Sequence, residues 1–114
     1  MRDVRVYLDD ILEAISQIRL YVHGMNQEEF TKDRKTRDAV IYNLEIIGEA
    51  AGKLPEEFLK RVPQVEWRKI RALRNILIHE YFGINLSILW DVVQNKLGQL
   101  EAACNQLSKE IKQT

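Results

Sequence analysis

Val4-Arg5-Val6-Tyr7-Leu8-Asp9-Asp10-Ile11-Leu12-Glu13-Ala14-Ile15-Ser16-Gln17-Ile18-Arg19-Leu20-Tyr21-Val22 decides the fold class, because Val4, Leu8, Ile11, Ile15, Ile18 and Val22 recur at steps of four and three. That spacing lines one side of a helix, whereas a half-buried strand would alternate. A long amphipathic first helix is predicted, stopping near His23-Gly24. Asn26 with Glu29 three residues later resembles a capping box that opens a short helix through Phe30. A second long helix follows, carrying Val40, Leu44, Ile47 and Ala51 on one face, with Gly52 as its stop.

The two prolines come next. Pro55 is placed as the first residue of a short helix through Leu59, and Pro63 as a breaker after it. Ile70, Leu73 and Leu77 mark a third major helix. A last helix is expected from about Leu86, capped by Asn85, with Leu89, Val93, Leu97, Leu100, Cys104, Leu107 and Ile111 along one seam. No segment alternates convincingly as a strand and no repeat or low-complexity tract is present, so the chain reads as all-α: an antiparallel bundle of four principal helices with one or two short extra helices. With 114 residues it is read as a single domain, 1–114, too small for a core plus an elaborate catalytic annex. The first and last helices carry longer seams than the two between, so their ends are expected to protrude and pair with another copy as a homodimer.

Seventeen basic and seventeen acidic residues cancel, so the whole molecule has no net field drawing it to nucleic acid or membrane. One local imbalance stands out. Between positions 60 and 74, Lys60, Arg61, Arg68, Lys69, Arg71 and Arg74 face one acid, Glu66. The single Cys104 excludes an internal disulfide framework and reads as packing in an apolar seam. No signal peptide is apparent and no stretch of roughly 18 uncharged residues could span a membrane, so a cytoplasmic protein is expected.

Chemistry concentrates in Arg74-Asn75-Ile76-Leu77-Ile78-His79-Glu80-Tyr81. A permanently charged guanidinium and an imidazole that titrates near neutrality are the pair needed to move a proton beside a phosphate. On a helix turning about 100° per residue, Ile70, Leu73, Leu77 and Tyr81 share one face with Arg74 at its edge, while Arg68, Arg71, Asn75 and His79 share the opposite one. Arg74 and His79 then stand about 140° apart. Either the helix ends or bends around His79, or arginine and histidine from two subunits face each other across a two-fold axis. The plain structural reading makes Tyr81 a core residue with its hydroxyl at the rim and Arg74 a helix cap or ion pair.

Taken together, the motif Arg74, His79 and Tyr81, the segments Tyr21-Val22-His23-Gly24-Met25, Phe30 with Asp33-Arg34, Ala39-Val40, Leu44-Glu45-Ile46-Ile47-Gly48-Glu49-Ala50-Ala51, Pro63 with Trp67, and Tyr81-Phe82-Gly83-Ile84 followed by Leu89-Trp90-Asp91 resemble the HepT-like branch of the HEPN superfamily. The resemblance covers nearly the whole chain. It implies a HEPN-type helical bundle and a toxin of a type VII (HepT/MntA-like) toxin–antitoxin pair, acting as a metal-independent endoribonuclease. It further implies a homodimer with the motifs lining a shared cleft, and a minimal nucleotidyltransferase antitoxin as partner that silences the toxin by transferring AMP from ATP onto the motif tyrosine. Carried over residue by residue, Arg74 and His79 would be catalytic, Asn75 supporting, and Tyr81 the AMP-modified, regulatory residue. Arg68 and Arg71, on the same polar face as His79, are the expected RNA-binding cations. Transfer RNA is the expected substrate and messenger RNA the alternative.

His79 as general base could take the proton from a ribose 2′-hydroxyl attacking the adjacent phosphate, while Arg74 offers its fork of donors to the pentavalent oxyanion. A 2′,3′-cyclic phosphate end is then expected. His23, at a helix end, reads as capping or structural hydrogen bonding. Metal catalysis is disfavoured, because the chain has two widely separated histidines, one cysteine and no Glu-x-x-His pair on a bundle helix. No glycine pattern forms a phosphate loop, so no cofactor is expected and ATP would be held by the partner. The competing reading is a noncatalytic helical adaptor or substrate-binding subunit of a nucleotidyltransferase.

Overall fold

A computed structural model describes residues 3–112, so the outermost positions of the expected 1–114 domain lie outside it. Its helices are α1 (Val4–Val22), α2 (Gln27–Lys32), α3 (Arg34–Gly52), α4 (Glu56–Leu59), α5 (Trp67–His79), a 3-10 turn (Tyr81–Gly83), α6 (Leu86–Asn95) and α7 (Leu97–Lys112). Among the described residues there is no strand, and the architecture is the all-α, HEPN-type bundle expected from the sequence.

Local side chains set the boundaries. Asp3 opens α1 by accepting from the Arg5 amide at 2.8 Å, and Gly24, in the left-handed region at φ 77°, lets the chain turn back after α1. Asn26 and Glu29 form the complete capping box of α2. Asp33 serves two helices at once: its N–H donates to the carbonyls of Glu29 and Phe30, and its carboxylate accepts from the amide and hydroxyl of Thr36 at 3.0 and 2.8 Å. These bonds from Thr36, the backbone one foremost, hold the Asp33 carboxyl below its ordinary range. Pro55 is the N-cap of α4 rather than its first residue. Asn85 caps α6 by accepting from Ser87 and Ile88.

In the packing, α3 is central: α1 lies on one side of it and α5 on the other, while α7 packs on α1 and α2 bridges α3 to α6. All six residues of the α1 seam except Val4 are buried, and Val40, Leu44, Ile47 and Ala51 are buried opposite them. Phe30, wholly buried, meets Trp90 of α6 with ring centroids 5.1 Å apart. Cys104 is also fully buried, and burial pushes its thiol up to about 12.

One expectation is corrected here. The last helix is not continuous but breaks at Lys96 into α6 and α7. Val93 and Leu97 remain buried on either side of the break, so the apolar seam runs through it and periodicity alone gives no sign of it. The bend lets α6 meet α2 while α7 follows α1. At 19 residues α3 matches α1, although its apolar seam is the shorter one. Its early start comes from the Asp33 cap, which precedes the first apolar residue of its seam by several positions.

Candidate functional site

The site is assembled where α5 crosses α3. Gly48 makes the crossing possible: a Cβ there would stand 2.8 Å from the Arg74 amide nitrogen, 3.2 Å from the Arg74 Cβ and 3.2 Å from the Ile70 carbonyl oxygen. Ile70, Leu73 and Leu77 turn inward from α5, Leu77 being fully buried and the other two half-buried. Arg68, Arg74, Asn75 and His79 are exposed. The helical wheel drawn from the sequence holds for these residues, whereas Arg71, placed on its outer face, is half-buried and turned to the end of α3, and Tyr81 lies beyond the helix.

The polar groups differ in how far they are engaged. Arg71 is committed to the protein, donating to the Glu56 carboxylate at 2.5 Å and to the Gly52 carbonyl at 3.3 Å, which ties α5 to the end of α3. Arg74 has only a loose partner, with its Nε 3.9 Å from a Glu49 carboxylate oxygen. Asn75 and His79 make no side-chain hydrogen bond or ion pair among the described residues.

Helix α5 ends at His79, one of the two possibilities its sequence left open. The Glu80 amide still donates to the Ile76 carbonyl at 2.9 Å, so the helical ladder is regular through His79 and keeps Arg74 and His79 on separate faces of one chain. Tyr81 lies past the helix end, in the 3-10 turn, half-buried against the core. Its hydroxyl donates to the Asp38 carboxylate of α3. Asp38 also faces Arg34 one turn earlier, Nε to oxygen 3.8 Å.

Sequence reasoning missed Gly48, Asp38, Arg37 and Phe82 as contributors. The first was visible only as part of a longer segment, since nothing in a glycine's neighbours says which helix will press on it. Arg34, Arg37, Asp38 and Ile41 could have been found, because their spacing puts three charged groups and one apolar residue on a single face of α3. Among the described residues no three His, Cys, Asp or Glu side chains gather to hold a metal ion. No helix among them is long and apolar enough to cross a membrane.

The family model described as "Ribonuclease HepT-like" matches residues 11–107. "Putative RNase MJ0127" of Methanocaldococcus jannaschii is 46% identical over 110 residues, covering 96% of this chain and 91% of that protein. "Probable ribonuclease HepT" of Thermococcus cleftensis is 39% identical over 108 residues, covering 95% of this chain and 98% of that protein. No solved structure matches the chain significantly.

Proposed function

Because this chain belongs to the HepT-like ribonuclease family, we propose that it is the toxin of a toxin–antitoxin pair and cleaves RNA without a metal through Arg74 and His79. The observation that carries this reading is the exposure of Arg74, Asn75 and His79 on a helix whose Lys69 and Arg71 are held by Glu66 and Glu56. A histidine held for structure would be spent on a side-chain bond, whereas His79 makes none among the described residues and Arg74 has only the loose Glu49 contact.

His79 removes the proton of a ribose 2′-hydroxyl, whose oxygen attacks the neighbouring phosphorus, and the 5′ oxygen leaves with a proton from a second acid. Arg74 meets the charge that grows on the phosphoryl oxygens. A 2′,3′-cyclic phosphate is the product. Since Arg74 and His79 sit on separate faces of one α5, the shared site is completed by a second copy of the chain, which also supplies the second imidazole. Arg68 is free to hold the RNA backbone, and Arg71 adds to the field while anchored to Glu56. Transfer RNA is the substrate favoured by the family resemblance.

Silencing acts at Tyr81. Transfer of AMP to its hydroxyl by a minimal nucleotidyltransferase partner breaks the bond to Asp38 and places a charged, bulky group beside the motif. No membrane step is involved, and the protein works in the cytoplasm.

The test is to induce the chain alone and with a nucleotidyltransferase encoded beside it, next to His79→Ala and Arg74→Ala variants, following growth and RNA integrity. Wild-type chain that is unmodified by mass yet neither slows growth nor cuts RNA would defeat the catalytic reading. Absence of added AMP mass on the Tyr81 peptide after coexpression would defeat the silencing reading alone.

A further inference from the structure

The N-terminal half of α3 and the turn after α5 enclose a cleft of about 260 Å³, bounded chiefly by Arg34, Arg37, Asp38, Ile41, Tyr81 and Phe82. Its charges are not evenly engaged. Asp38 accepts from the Tyr81 hydroxyl and faces Arg34, so its negative charge is met from two sides. Arg37 has no such partner. It is half-buried, its Nε is sealed from solvent without a hydrogen bond, and its guanidinium makes no ion pair among the described residues. A guanidinium partly drawn out of water, with its Nε left unbonded, is better placed when an anion meets it, and a phosphate suits its planar fork.

Phe82 lines the same cleft, with 95% of its surface exposed. An aromatic ring so placed buries almost none of its surface in the fold. Tyr81 steadies it through a T-shaped contact, centroids 5.1 Å apart. An exposed ring and an arginine without an ion pair in one cleft are the combination that single-stranded nucleic acid uses, with the base stacked on the ring and the phosphate on the guanidinium.

We propose that this cleft is a nucleotide subsite for single-stranded RNA, in which Arg37 takes one backbone phosphate and Phe82 stacks on the adjoining base. The choice of RNA as the source of the nucleotide rests on the ribonuclease reading. The strand would enter the motif past Tyr81, two positions from His79. Asp38 is turned to the Tyr81 hydroxyl and faced by Arg34, which offset part of its charge.

Binding of a labelled single-stranded oligoribonucleotide is measured by fluorescence anisotropy on the full chain carrying His79→Ala, which prevents cleavage. Adding Arg37→Gln is expected to weaken binding about tenfold and to lower the slope of log Kd against log salt by roughly one, while Arg37→Lys keeps that slope. Phe82→Ala is expected to weaken binding about fivefold or more, and Phe82→Trp to restore it. The Lys and Trp variants separate lost contacts from a damaged fold. Binding within twofold of the parent for both Arg37→Gln and Phe82→Ala overturns the proposal, as does an oligonucleotide that does not bind the parent at all. Loss of affinity for AMP without loss for the oligonucleotide overturns it too, since the cleft would then take free nucleotide only. Cleavage by the wild-type chain is followed in parallel: binding that needs Arg37 without any cleavage removes the nuclease reading and leaves the subsite, and cleavage indifferent to Arg37 does the reverse.

Discussion

Gly48 of α3 and Arg74 of α5 are in backbone contact: the position of a Cβ on Gly48 falls 2.8 Å from the Arg74 amide nitrogen. The residue assigned to charge stabilisation is therefore set in place by a missing side chain on another helix. Gly48→Ala must separate α3 from α5, at a cost of about 1–3 kcal/mol. Urea unfolding measures that loss, and RNA cleavage should fall with it. Gly52→Ala, where nothing lies within 4 Å, is the control and should leave stability unchanged or raised by about 0.5–1 kcal/mol.

His79→Ala and Arg74→Ala change exposed groups, so thermal unfolding should move by no more than about 0.5 kcal/mol. Cleavage should fall about a hundredfold or more. Arg74→Lys restores charge without the planar fork and is expected to recover little of the rate. Equal cleavage by all three variants and the wild type would place the chemistry elsewhere.

Tyr81→Phe deletes the hydroxyl that donates to Asp38 but keeps the ring on the core. The stability change should be small, on the order of 1 kcal/mol. In cells, Tyr81→Phe should remain toxic in the presence of a partner that silences the wild type, because the acceptor oxygen is gone. Growth curves with and without the partner read this directly.

Cys104 gives the fold a pH dependence of known sign. Its thiol is pushed from 9.0 up to about 12 by burial, so the folded state holds its proton when the unfolded chain has lost it. The contribution is fully present below pH 9 and is lost as pH rises toward 12. Between pH 9 and pH 10 the loss should be on the order of 1 kcal/mol, and Cys104→Ala should lack this part of the slope. The same burial predicts that thiol reagents react with the folded protein only as fast as it opens.

The helices were legible because their seams repeat and their ends carry local chemistry. The α1 stripe, the Asn26–Glu29 capping box and the Asn85 cap all read directly from neighbouring residues. The break at Lys96 was not, since Val93 and Leu97 keep the periodicity across it. The same distinction holds at the site. The exposed face with Asn75 and His79 follows from the wheel, whereas the Tyr81–Asp38 bond joins residues 43 positions apart. So does the Gly48 crossing depend on α3 and α5 having already packed. Long-range contacts of this kind belong to the fold and have no local sequence signal.

One residue, Glu80, separates the histidine at the end of α5 from the tyrosine that begins the next turn. Its amide closes the last helical bond to Ile76, and its carbonyl accepts from Gly83 to close the turn. Glu80 is thus a spacer of fixed length. Adding or removing a single residue there would swing Tyr81 around the helix axis by about 100° and carry its hydroxyl away from Asp38. The interval from His79 to Tyr81 is consequently a ruler that tolerates substitution but not a change of length.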